Sequence, residues 1–446
     1  MRKYIIIAAA LCCAAFLFLI FFSSWGINLN PFAGNRSDIN GEFYVTEYSA
    51  GDMTEEDAAE AFAEDHTEPL AEDLAEGFAD EMSETLTEEL GEQLTDDFLG
   101  EPNEEIAGGT IETIDPLDEI ISQMTIYEKI GQLFIPRLPD PQRARRLIED
   151  YHVGGFILFS EHVSSIDQVQ QLITGLQGAA TIPLFIAVDE EGGRVSRVGR
   201  LFPERIGTAF SIGNTGDPQA AYDAYYTIGQ RLIYLGFNMN FAPVADIWTN
   251  PANRVIGDRA FAAEPELTAI MTAYAVRGLQ DAGILSVIKH FPGHGDTVED
   301  SHYNMAFYHH DRERLDNVEA IPFRSGIEAE AAGVMVGHIA TPLLHPDYPS
   351  KPAVFSGYLM EDILRGEWGF EGLVVTDALD MRGLTNYYSY DEIVLNAFLG
   401  GADILLMPVN TEQAIAAMVA AYREGLFTET RLDESLRRIM GRKVEF

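Results

Sequence analysis

The sequence predicts an α/β fold, a (β/α)8 TIM-type barrel, preceded by a transmembrane or signal helix and an acidic, largely disordered linker. Three observations carry this reading. From residue 115 onward, short β-rich runs alternate with helical stretches, as expected of parallel strands joined by crossover helices. Eight such runs occur. Polar residues recur just past them, at the carboxyl ends where barrels of this type build their sites.

The first element is 1–26. Arg2 and Lys3 precede 19 uncharged residues, Tyr4 to Phe22, a length that can cross a bilayer as a helix. Signal peptides have apolar cores of roughly 7–15 residues and a small-x-small cleavage site, and Phe21-Phe22-Ser23-Ser24-Trp25 is a poor one. An uncleaved anchor is therefore favoured over a cleaved signal. The basic residues before it stay cytoplasmic and place the rest outside, so the expected location is extracytoplasmic, anchored to a bacterial cell membrane or secreted. Cys12 and Cys13 both lie in this run, so the exported part can form no disulfide. They fit a lipobox badly and are expected to pack in the membrane.

The second element is 27–114. It opens with a short polar tether, and between Gly51 and Glu105 it carries 22 Asp and Glu and no Lys or Arg. Carboxylates at i,i+3 and i,i+4 repel one another on a helix. Apolar residues recur every fourth place, at Leu70, Leu74, Phe78, Met82, Leu86, Leu90, Leu94 and Phe98. On an α-helix a four-residue step drifts by about 40° each time, so these side chains spiral and form no single buried face. A solvated spacer is expected ahead of a partner-binding segment.

The third element is 115–446, with 26 basic against 45 acidic residues. Candidate strands are 131–136, 154–159, 184–188, 239–243, 285–289, 333–337, 373–376 and 404–407. Candidate helices include 220–235, 265–282, 315–332 and 411–424. An open doubly wound sheet would commonly show a Gly-x-Gly-x-x-Gly turn after a strand, and none follows these. The formal net charge of −42 argues against nucleic acid and anionic lipid as partners and favours a neutral substrate.

The strand-end residues are Asp189 after the third strand, Asp246 after the fourth, Lys289-His290 in the fifth, His338 in the sixth and Asp377 after the seventh. Each has a plain structural reading too. Asp189-Glu190-Glu191-Gly192-Gly193-Arg194 can be a capped loop in which Arg194 or Arg197 pairs with its acids, and Asp246 can fix Arg254 or Arg259. The cluster His290, His294, His302, His309 and His310 invites a metal site, but Pro292, Gly293 and Gly295 make the segment a loop and not a zinc-binding helix. No metal or cofactor is expected.

Lys289-His290-Phe291-Pro292-Gly293-His294-Gly295 followed by Asp300-Ser301-His302 resembles glycoside hydrolase family 3, specifically its β-N-acetylglucosaminidases of the peptidoglycan-recycling type. The resemblance extends through Asp189-x-Glu-Gly-Gly-Arg-Val-x-Arg197, Asn240-Phe-Ala-Pro-Val-Ala-Asp246, Ile256-Gly-Asp-Arg-Ala-Phe261 and Val375-Thr-Asp-Ala-Leu379, in family order. It implies that Asp377 is the nucleophile of a retaining mechanism, with Asp380 as a weaker rival beyond the strand. It further implies that His302 is the general acid/base, oriented by Asp300, on a loop that the glycines around His294 let open and close. Asp189, Arg197, Arg259, Lys289 and His290 become ligands of the terminal sugar, their charges suited to hydroxyls and an acetamide.

Many relatives acting on plain glucosides carry a second α/β sandwich domain that supplies the acid/base, whereas this sequence stops soon after the eighth barrel helix. The expectation is therefore hydrolysis of terminal β-N-acetylglucosamine by a monomer. Recycling enzymes of this type are cytoplasmic in Gram-negative bacteria, but the export segment here points to muropeptides, peptidoglycan strands or chitin oligosaccharides outside the cell. The alternatives are a β-glucosidase, a phosphorylase or transglycosylase, whose neutral or cationic histidine does not repel phosphate, a metallohydrolase, and a non-catalytic sugar-binding barrel on a tether.

Overall fold

The computed structural model describes residues 115–344 and 351–444. The expected anchor at 1–26 and linker at 27–114 lie outside the described residues. No helix among the described residues is long and apolar enough to cross a membrane.

Eight parallel strands follow the predicted order: β1 Phe134–Ile135, β2 Gly155–Leu158, β3 Phe185–Val188, β4 Met239–Asn240, β5 Leu285–Phe291, β6 Gly333–Val336, β7 Leu373–Thr376 and β8 Leu405–Leu406. Strands β2 to β7 form one six-stranded parallel sheet in chain order, and β1 pairs with β8. Single parallel bridges, Arg137 to Ile157 and Val375 to Ile404, link that pair to both edges of the sheet. The strands are buried at nearly every position, as in β3 and β7, because side chains fill one face and helices cover the other. That is why they read as continuous apolar runs and not as alternating ones.

The helices begin where caps tell them to. Asp217 accepts from the Gln219 amide and Pro218 opens the helix Pro218–Leu235, which Gly236 ends in a left-handed conformation at φ 96°. Asn410 caps Thr411–Arg423 in the same way. Two starts differ from expectation for a clear local reason. The first strand was expected from Gly131, but a Thr125–Glu128 capping box starts a helix, Ile126–Gly131, that consumes those residues. The helix expected from Leu315 starts earlier, at Arg312 behind the Asp311 cap, and passes through a π turn, Leu315–Glu319, before Ala320–Glu328. A two-stranded ribbon, Ala306–Phe307 with Ile339–Ala340, sits beyond β6.

The last helix, Glu429–Lys443, returns to the first turn of the domain. The Lys129 ammonium meets Glu429 and Asp433 at 2.7 Å each. The buried Lys443 amine donates to Gln132 Oε1 at 2.7 Å and to the Gly154 carbonyl at 2.8 Å.

Candidate active site

The loop after β3 is folded by a residue that does not face the cavity. Glu190 accepts from Ser196 Oγ at 2.6 Å and from the amides of Arg197 at 2.6 Å and Val198 at 2.8 Å. Asn240 of β4 bonds both the amide and the carbonyl of Glu190 at 2.9 Å. With Glu190 turned into its own loop, the alternate residues Asp189 and Glu191 turn inward, and burial pushes the Glu190 carboxyl up.

The end of β5 delivers Lys289 between those two acids. Its Nζ lies 2.7 Å from Asp189 Oδ1 and 2.7 Å from Glu191 Oε1. Arg259 grips the same Glu191 with two parallel N–H bonds of 2.8 Å. Burial opposes charge on Glu191, yet Arg259 and Lys289 outweigh it and hold the carboxyl well below the usual range. Burial likewise opposes charge on Lys289, and Asp189 and Glu191 override it, so the amine stays cationic. Arg197 stands 4.0 Å from Asp189 Oδ2 with its guanidinium over the Phe159 ring. Its buried Nε has no hydrogen-bond partner among the described residues.

His290 Nδ1 lies 2.7 Å from Asp246 Oδ2, and the His294 amide donates to Asp246 Oδ1 at 2.7 Å. Asp246 therefore fixes the two histidines, and not Arg254 or Arg259 as the plain reading of the sequence offered. Arg194 pairs with Asp258 at 2.8 Å and with carbonyls of 254–256, so it too leaves the strand-end acids alone. His294 is buried against Thr297 and Ser301, and burial, followed by its neighbour His290, pushes its imidazole down to about 4.

Asp377 follows β7 directly, its amide bonded to the Val336 carbonyl of β6. Its Oδ1 accepts from the Ala378 amide at 2.8 Å. Burial would raise this carboxyl, but His338, His290, the Ala378 amide and His302 outweigh it and hold the group at about 2. It is ionised near neutrality. Asp380 is pushed the other way, by partial desolvation and by the Asp377 charge.

His302 sits on the loop after β5. Its Nδ1 lies 2.7 Å from Asp300 Oδ1, which also accepts the His302 amide at 2.9 Å. The loop rests on the turn that follows Asp377: Arg382 donates to the His302 carbonyl at 3.3 Å and Gly383 to the Ser301 carbonyl at 3.1 Å. The glycines expected to act as hinges stand in tight surroundings. A Cβ at Gly295 would lie 1.7 Å from the Ile247 carbonyl oxygen, and one at Gly293 would lie 2.9 Å from the Glu319 side chain. Gly295 is a place of close backbone approach, and Gly293, at φ 130°, takes a conformation that favours glycine, and together they fix the base of the loop.

All eight site residues read from the sequence, Asp377, His302, Asp300, Asp189, Arg197, Arg259, Lys289 and His290, line one cavity of about 580 Å³. Glu191 lines it too, and sequence reasoning missed it. The signal available was charge balance, since the motif cations Lys289 and Arg259 need more than Asp189 once buried.

An ionised carboxylate on a strand end and an imidazole on a facing loop can together break a bond at an acetal carbon, which makes glycoside hydrolases the class that this fold and cavity define. Residues 125–441 match the glycosyl hydrolase family 3 N terminal domain, and the chain belongs to that family. It is 36% identical over 333 residues to Beta-hexosaminidase A of Pseudoalteromonas piscicida, covering 68% of this chain and 55% of that one. It is 35% identical over 320 residues to Beta-hexosaminidase LpqI of Mycobacterium tuberculosis, covering 70% of this chain and 81% of that one. The solved family 3 β-N-acetylglucosaminidase from Paenibacillus sp. str. FPU-7 superposes with a TM-score of 0.70 at 39% identity, over 72% of this chain and 62% of that one. The chain thus spans little more than half the length of the Pseudoalteromonas relative.

Proposed function

We propose that this chain is a retaining β-N-acetylglucosaminidase that removes terminal non-reducing β-N-acetylglucosamine from peptidoglycan fragments or chitin oligosaccharides. The observation that carries the reading is that Asp377, ionised at the end of β7, and the Asp300–His302 pair line the same cavity. Asp377 Oδ2 attacks the anomeric carbon while the glycosidic bond breaks, and the leaving oxygen takes the proton of His302. Water then adds to the same carbon, gives its proton to His302 and releases Asp377. Asp300 holds the Nδ1 side of the imidazole, so Nε2 is the nitrogen that exchanges the proton. Asp189, Lys289, Arg259, Arg197 and His290 hold the hydroxyls and acetamide of the sugar.

Hydrolysis is favoured over phosphorolysis by the relatives reported above, which are named as hexosaminidases and a β-N-acetylglucosaminidase. The bridges at both sheet edges support a closed eight-stranded barrel, and the apolar run from Tyr4 to Phe22 supports an extracytoplasmic, tethered enzyme. The test uses the full chain on a chromogenic β-N-acetylglucosaminide, with and without phosphate. Free sugar of retained configuration is expected in both, and Asp377→Ala is expected to lower kcat by about 10⁴-fold. Aglycone release by Asp377→Ala at the wild-type rate would overturn the nucleophile, and sugar 1-phosphate as the main product would overturn hydrolysis.

A further inference from the structure

Two residues past β6, His338 is fully buried and, beyond its attraction for the Asp377 charge, has been given no role above. Its Nε2 lies 2.7 Å from the Ala378 carbonyl oxygen. A carbonyl can only accept, so Nε2 carries the proton, and in a neutral ring Nδ1 is then a bare acceptor. That Nδ1 has no hydrogen-bond partner among the described residues. Burial pushes the imidazole below its ordinary value despite the attraction of Asp377, so the ring is neutral near pH 7. A buried histidine is most often a packing residue with both nitrogens satisfied. This one keeps a buried nitrogen with no partner among the described residues, which leucine or phenylalanine would avoid, so its single donor is the contact to explain.

The carbonyl it holds belongs to the residue beside the nucleophile. The Ala378 amide grips Asp377 Oδ1 at 2.8 Å. On the far side, the Leu379 amide donates to the Leu406 carbonyl of β8 at 2.9 Å. The peptide unit between Ala378 and Leu379 is thus held at both ends, by His338 past β6 and by β8. We infer that His338 is a positioning residue for Asp377: by holding the Ala378 carbonyl it keeps the Ala378 amide on Oδ1 and leaves Oδ2 to face the sugar. The inference rests on the reading of Asp377 as nucleophile. Without the Nε2 donor that carbonyl is unsatisfied, the peptide unit is held only by the Leu379–Leu406 bond, and the carboxylate's orientation loosens, which costs turnover more than binding. The groups that act on the ring are Asp377 from the β7 end, His302 from the loop and His290 from β5.

The experiment compares His338→Leu, which fills the space without a donor, with His338→Gln, whose amide reaches the Nε2 position. A third variant, His338→Asn, carries its amide at the Nδ1 position. Each is made in the full chain and measured on the chromogenic β-N-acetylglucosaminide for kcat, KM, pH profile and melting temperature. Leu and Asn are expected to lower kcat by about 30-fold with KM within about twofold, and Gln to recover most of the loss. The pH profile of the Gln variant is expected to match wild type, because the ring serves as a fixed donor and not as a proton carrier. A folded Leu variant with wild-type kcat would overturn the inference. If Leu does not fold, equal rates for Gln and Asn would overturn it, as would a Gln variant that loses the acid limb of the profile. Failure of the underlying reading shows separately, as wild-type turnover by Asp377→Ala.

Discussion

Glu191 bears more charge pairing than any other acid in the cavity. It alone bonds Arg259 through two contacts and Lys289 through a third, with its side chain 3% exposed. Neutralising it leaves two buried cations facing Asp189, so Glu191→Gln is expected to destabilise the fold by about 3–5 kcal/mol, measured by urea unfolding at pH 7. The exposed pair Arg194–Asp258, with side chains 46% and 44% exposed, sets the contrast: Asp258→Asn is expected to cost under about 1 kcal/mol. Equal losses would mean that the buried network carries no special load. In the sequence the three acids from Asp189 to Glu191 look alike, and only Asp189 could be chosen, because it stands at the strand end. What separates Glu190 from Glu191 is the Asn240 clamp and the loop amides around Glu190, contacts made by residues about 50 positions away or created by the loop's own turn.

At the scale of elements, the loop from Pro292 to Asn304 joins two demands. Its base is fastened by Asn253, which donates to the His294 carbonyl at 2.7 Å, and by the close approach of Gly295 to Ile247. Its outer part carries His302 into the cavity. The backbone of Ile247 cannot yield to a methyl group as a flexible side chain would, so Gly295→Ala is expected to lower stability by at least about 2 kcal/mol and to slow turnover by displacing the histidine. Gly175→Ala, in the helix Ile166–Ala179 with open space around it, is expected to raise the melting temperature through helix propensity. Stable Gly295→Ala with full activity would show the loop base to be loose. The sequence made this loop legible as a loop, through Pro292, Gly293 and Gly295, but suggested hinges. Glycine supplies both freedom and room, and only the packing shows which of the two is used. The strands were legible for the opposite reason, since their apolar runs follow from local chemistry, and the one that began too early did so where a capping box competed for Gly131.

For the domain as a whole, residues 115–446 carry 26 basic against 45 acidic side chains, and the cavity's cations are held by buried acids, a field that suits an uncharged glycan. The ends of the catalytic domain meet through cations: Arg437 donates to Asp118 at 2.6 Å, Lys129 bridges to Glu429 and Asp433, and Lys443 lies beneath β2. Among the described residues Lys443 differs from the others in meeting no carboxylate, only two neutral oxygens and the Phe185 ring at 4.9 Å, and burial lowers its amine to about 7. In the unfolded chain the same amine titrates near its ordinary value of about 10.4. Below about pH 7 both states are protonated and the cost of the buried charge is fully present. Between about 7 and 10.4 the unfolded chain holds a proton that the folded chain has released, so stability rises with pH, by about 4 kcal/mol from pH 7 to 10. Other groups titrate over that range as well, so the quantity to measure is the difference in unfolding free energy between wild type and Lys443→Met at several pH values. That difference is expected to grow in favour of wild type as pH rises, whereas parallel curves would mean that the amine keeps its proton in the fold.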